Sequence, residues 1–83
     1  MTQTQTLIKS LTETHGDRIL EAILYSSDGK TDFELAAELD IMLSSVNAAR
    51  NRLMALGQVE ARGDRRPSGR GGMAKVWQIA ATA

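Results

Sequence analysis

The sequence predicts a small α+β domain in which three helices are followed by a two-stranded β-hairpin. Three observations carry this. Apolar residues recur at helical spacing in three successive stretches up to Leu56, with capping signals at their ends. Beyond Gly57 the apolar period becomes alternating, as in strands. Between the two alternating stretches lies a segment dense in glycine and arginine.

Residues 1–13 are expected to be a tail with a short helix, ahead of a domain at 14–83. Thr2 to Thr6 alternates Thr and Gln and has no core-forming side chain. Leu7, Ile8 and Leu11 suit one or two amphipathic turns, which either cover the edge of the core or make a dimer contact. Thr14 and Asp17 form a capping box with Asp in place of the usual Glu. The helix they open carries Ile19, Leu20, Ile23 and Leu24 on one face and ends near Ser26 to Gly29.

Thr31 with Glu34 is a second capping box, so the next helix starts at about Asp32. Leu35, Ala36 and Leu39 share its buried face, and Asp40 to Met42 interrupts the stripe. A new stripe follows, with Val46, Ala49, Leu53 and Leu56 on one face and Gly57 at the C′ position. Two helices so closely connected cannot be collinear. Their stripes meet at a steep angle, which is a helix-turn-helix arrangement.

On a wheel at about 100° per residue, the face opposite that stripe carries Ser44, Asn47, Ala48, Asn51 and Ala55, flanked by Arg50 and Arg52. No acid occurs between Leu43 and Val59. Hydrogen-bonding and small side chains without negative charge suit a groove lined by phosphates and base edges. The plainer reading is a solvated helix face.

Gln58 to Arg62 and Lys75 to Ala80 read as strands, Val59 with Ala61 and Trp77 with Ile79 each alternating. Gly63 to Gly72 is read as a long basic loop, with five Gly or Pro and three Arg among ten residues. Pro67 stiffens its middle.

The chain is formally neutral, but its charge is divided. Met1 to Met42 has three bases against eight acids, a balance of −5. Leu43 to Ala83 has seven bases against two acids, a balance of +5, and holds six of the seven arginines. Total charge therefore conceals a positive half rich in the residue best shaped for phosphates and guanine edges. The 42% hydrophobic content is enough for one globular core. Cysteine is absent, as are a signal peptide and any apolar run of membrane length, so a soluble cytoplasmic protein is expected.

From Gly16 to Ala80 the chain resembles winged helix-turn-helix DNA-binding domains, above all small ones encoded by bacteriophages and prophages. The resemblance rests on Thr31-Asp32-x-Glu34-Leu35-Ala36, Ser45-Val46-x-x-x-Arg50 and Leu53-x-x-x-Gly57-x-Val59-Glu60. It continues in Gly63-x-x-Arg66-Pro67-Ser68-x-x-Gly71 and in Val76-Trp77. It implies a transcriptional regulator that binds double-stranded DNA, with the helix at 43–56 in the major groove and the wing at 63–72 on backbone or minor groove. Two departures stand out. Met42 occupies a position where relatives often cap the recognition helix with Ser or Thr, and Asn47 and Asn51 stand where relatives carry arginine. Asn retains the capacity to read adenine.

The resulting DNA-contact set comprises Ser44, Ser45, Asn47, Ala48, Arg50, Asn51 and Arg52 on the helix, and Arg62, Arg65, Arg66, Arg70 and Lys75 on the wing. Arg50 and Arg52 have an alternative, pairing with acids of the preceding helices. Trp77 is assigned to the hairpin anchor rather than to base stacking. Catalysis is not expected: His15 is the sole histidine and no triad, metal-ligand loop or nucleotide phosphate loop is recognisable. No cofactor, metal or small-molecule ligand is expected. A homodimer on a two-fold DNA site would extend the few base pairs one module reads. The competing reading is a protein-interaction module whose acidic half docks a basic partner.

Overall fold

Side-chain caps fix where the first two helices begin. In the computed structural model, which describes residues 14–81, Thr14 and Asp17 exchange two hydrogen bonds of 3.1 Å and open α1 (His15–Leu24). Thr31 and Glu34 do the same, at 2.9 and 3.1 Å, for α2 (Asp32–Leu39). Both capping boxes are those expected from the sequence. The stretch holding Leu7, Ile8 and Leu11 lies outside the described residues.

α2 stops at Asp40, which takes the left-handed conformation (φ 55°) as its C-cap, and the Ile41 N–H closes back on the Ala36 carbonyl at 3.1 Å. Asp tolerates that conformation better than a branched or bulky residue. Only Asp40, Ile41 and Met42 separate α2 from α3 (Leu43–Ala55). Met42 gives α3 no side-chain cap, as its side chain requires. At the other end Gly57 (φ 76°) builds a Schellman closure: its N–H reaches the Met54 carbonyl at 3.0 Å, and the Gln58 N–H reaches Leu53 at 2.9 Å.

The chain then enters a hairpin of β1 (Val59–Pro67) and β2 (Met73–Ile79), antiparallel throughout. Here the expectation of a ten-residue loop is corrected. Pairing runs on from Arg65↔Lys75 to Pro67↔Met73, and only five residues, Ser68 to Gly72, make the turn. The Ser68 N–H bonds the Gly72 carbonyl at 2.8 Å. The wing is a ladder rather than an extensible loop. Its glycines are spent on a bulge at Gly63 (φ 106°), between Ala61 and Arg65, and on positive-φ positions in the turn at Gly69 and Gly71.

A third segment joins the hairpin. Lys30 pairs with Trp77 across two backbone hydrogen bonds of 2.8 and 3.0 Å, tying the α1–α2 connection to β2. This requires glycine beside it. A Cβ at Gly29 (φ 70°) would stand 2.6 Å from the Trp77 carbonyl oxygen and 2.7 Å from Val76 Cγ1.

The core gathers Ile19 and Ile23 of α1, Leu35 of α2, Ile41 of the turn, Val46 and Leu53 of α3, and Val59 and Trp77 of the hairpin. Two residues of the expected stripes are outside it. Leu24, the last residue of α1, is 58% exposed, and Leu56, the C-cap of α3, is 64% exposed. Both lie where the backbone leaves the helix, and no other element among the described residues covers them. Ala61 is also exposed, whereas Val76 is buried next to the buried Trp77. β2 is therefore covered on both faces, with Gly29 against Val76. Among the described residues no helix is long and apolar enough to cross a membrane.

Candidate nucleic-acid interface

The packing of α3 decides which of its side chains face outward. Val46 and Leu53 point into the core and Ala49 is half-buried, so the opposite face, with Ser44, Asn47, Ala48, Asn51 and Ala55, is exposed. This is the face expected from the wheel. Ser45 sits half-buried on its flank, and Arg52 is exposed in the last turn.

Arg50 goes the other way. Its Nε and Nη2 hold the Asp32 carboxylate at 3.1, 3.2 and 2.7 Å, with only 13% and 10% of the two side chains exposed. Its guanidinium also lies over the Trp77 ring, 4.1 Å from the centroid. Of the two readings open for Arg50, the structure takes the pairing with an acid of the preceding helix. Energetics keeps it there. Withdrawing one partner of a buried ion pair costs about 3–5 kcal/mol, while one charged hydrogen bond to a phosphate returns about 1.5–3 kcal/mol. Arg50 is an internal strut.

The wing cations divide into two groups. Arg62 binds the Asp64 carboxylate through Nε at 2.8 Å and Nη2 at 2.7 Å, and donates through Nη1 to the Asp28 carbonyl. The side-chain hydrogen bonding between Arg62 and Asp64 is the main reason the Asp64 carboxyl is held below its ordinary range and the Arg62 guanidinium above its own. Arg66 binds Glu34 at 3.0 and 3.1 Å and also donates to the carbonyls of Asp28 and Gly29. Arg70 lies 5.3 Å from the Phe33 ring centre. These three tether the wing to α2 and to the loop before it. The Arg66–Glu34 pair is solvent-screened, worth about 0–1 kcal/mol.

Arg65 and Lys75 form the second group. They are direct cross-strand partners, so their side chains leave the same face of the hairpin. Both are exposed, and neither makes a side-chain hydrogen bond or ion pair with another described residue. Lys75 lines a cleft of about 260 Å³ together with Asn47 and Arg50 of α3 and Trp77 below them. Asn47 of the outer face of α3 and Lys75 of the wing thus line one cleft. Trp77, 4% exposed, is the anchor expected and not a surface stacking platform.

Sequence reasoning did not find three participants: Asp32 as the holder of Arg50, the Asp28 carbonyl as a dock for two wing arginines, and Lys30 as a strand partner. Asp32 signalled only a first-turn acid of α2, and its partner lies 18 residues away. Among the described residues no group of three or more His, Cys, Asp or Glu is placed to hold a metal ion. Comparison of the chain with protein-family models, curated proteins and solved structures finds no match. The functional reading therefore rests on the geometry.

Proposed function

We propose that this domain is a winged helix-turn-helix module that binds double-stranded DNA, with α3 in the major groove and the hairpin along the adjoining backbone. One observation carries the reading most: an acid-free, polar and small-residue face of α3 whose Asn47 shares a cleft with Lys75, the exposed cross-strand partner of Arg65 on the wing. A helix of this size fits the major groove, and cations beside it meet the flanking phosphates. The uncapped start of α3 adds open N–H groups near Ser44 and Ser45, which suit a phosphate oxygen.

In this reading Asn47, Ala48 and Asn51 face base edges. Arg52, Arg65 and Lys75 make backbone contacts, and Arg62, Arg66 and Arg70 join them by giving up their surface partners. The activity is transcriptional regulation in the cytoplasm, of the kind served by small phage- and prophage-encoded regulators. A homodimer on half-sites about 10 base pairs apart would supply the affinity one small module lacks.

The test is an NMR titration of labelled protein with a duplex of random sequence, at low and then raised salt. Amide shifts confined to 43–52 and 62–75, reversed by salt, are expected. Amides that stay unmoved while the protein remains folded would sink the proposal.

A second reading, docking of a basic protein partner, draws on the exposed Tyr25, 80% accessible, which lines a groove with Glu21 and Glu38. The same titration separates the two, because a protein-only module shows no duplex binding for salt to weaken.

A further inference from the structure

Arg50 donates a fourth hydrogen bond, from Nη1 to the Oδ1 of Asn51. This completes a chain from the Asp32 carboxylate through a guanidinium stacked on Trp77 to an exposed amide on the outer face of α3. The rigid fork of arginine makes the chain possible. Nε and Nη2 grip the carboxylate on one edge while Nη1 remains for a neighbour.

Arginine only donates, so the contact settles which way the Asn51 amide is turned: Oδ1 toward Arg50 and the Nδ2 donor away from it. None of the other exposed polar residues on this face is held so. Ser44, Asn47 and Arg52 make no side-chain hydrogen bond to a described residue. A free side chain loses rotamer freedom when it meets a base, whereas one already ordered does not. Discrimination between bases depends on such fixed donor and acceptor placement.

Resting on the DNA-binding reading, we propose that Asn51 is the residue of α3 that fixes base identity, and that Arg50 is its positioning residue rather than a DNA contact. Asp32 and Trp77 hold Arg50 in register for that task.

The experiment selects from a pool of duplexes randomised over about one helical turn, ~10 base pairs, using wild type, Asn51→Ala and Arg50→Lys. Lysine keeps the positive charge but cannot span Asp32 and Asn51 or stack as a plane. Both variants are expected to flatten base preference at the same one or two positions. Their salt dependence should match that of the wild type. In the free protein the Asn51 side-chain amide should be ordered, with an order parameter above that of the Asn47 side chain, and should loosen in Arg50→Lys.

An unchanged selected sequence for Arg50→Lys, as expected if Arg50 merely met a phosphate, would overturn the assignment. So would flattening at a different position from Asn51→Ala. A wild-type protein that retains no duplex overturns the DNA-binding reading itself, and this inference with it. Asn51 is exposed, so its variant reports even if Arg50→Lys lowers stability.

Discussion

The guanidinium of Arg50 lies over Trp77, 4.1 Å from the ring centre, while the same group closes on a carboxylate at the first residue of α2. The stack is worth about 0.5–2 kcal/mol by itself. Its larger effect is geometric. It joins α2, α3 and β2 at one point directly beneath the proposed DNA-facing surface, so that surface depends on a charge pair with little access to water.

Removing the acid of that pair should therefore be costly. Asp32→Ala leaves a guanidinium buried and uncompensated, and a loss of about 3–5 kcal/mol is expected. For a domain of this size that corresponds to roughly 4–8 °C of melting temperature per kcal/mol. Urea and thermal denaturation measure it. A loss under about 1 kcal/mol, the value typical of a surface ion pair, would show that water reaches the pair.

Glycine positions should separate sharply. Gly29→Ala places a methyl 2.6 Å from a backbone oxygen that cannot rotate away, at a φ of 70°. Overpacking and left-handed strain together predict a loss of about 2–5 kcal/mol. Gly57→Ala carries only the strain, because nothing stands within 4 Å of its Cβ; about 1–2 kcal/mol is expected. Equal destabilisation of the two variants by urea melts would remove the close approach to β2 as the reason for Gly29.

The wing edge should contribute charge without stability. Lys75→Ala and Arg65→Ala are expected to leave the melt within about 0.5 kcal/mol of wild type. Each should lower the salt slope of duplex binding by about 0.9, uniformly across DNA sequences. Fluorescence anisotropy at several salt concentrations reads this. A variant that changes sequence preference instead would place that side chain at a base.

Asp64 offers a pH-dependent check. Its folded carboxyl lies below the ordinary value of about 3.9, chiefly through its hydrogen bond from Arg62. The sign follows: what the pair adds to stability is present above the ordinary value and is lost as pH falls through the folded one. Carbon-detected titration of Asp64 should show a lowered midpoint that returns toward normal in Arg62→Ala. A midpoint indifferent to Arg62 would assign the shift to other causes.

The parts of this fold legible in the sequence are those set by neighbours in the chain. Thr14, Thr31 and Gly57 mark helix ends because caps act over three or four residues, and the exposed face of α3 follows from its period. Leu24 and Leu56 obey that period yet stay largely exposed among the described residues, since a wheel has no knowledge of where packing partners end. The wing misled for a related reason. Its Gly, Pro and Arg content reads as loop, but pairing of Arg65 to Pro67 with Met73 to Lys75 is decided across the hairpin. Arg50 was ambiguous because its partner is remote, and Lys30 gives no local sign of the strand it meets.

The bridge between Lys30 and Trp77 has a consequence for biosynthesis. A chain grows from one end, and its helices can form as they emerge. The lid of the core cannot, because Val76, Trp77 and Ala80 arrive after every helix has been made. Without Val76 and the residues after it, α1, α2 and α3 would have an open apolar floor and the Asp32–Arg50 pair no ring above it. Docking of β2 closes that floor, and the same strand that shuts the core brings Lys75 into place beside α3.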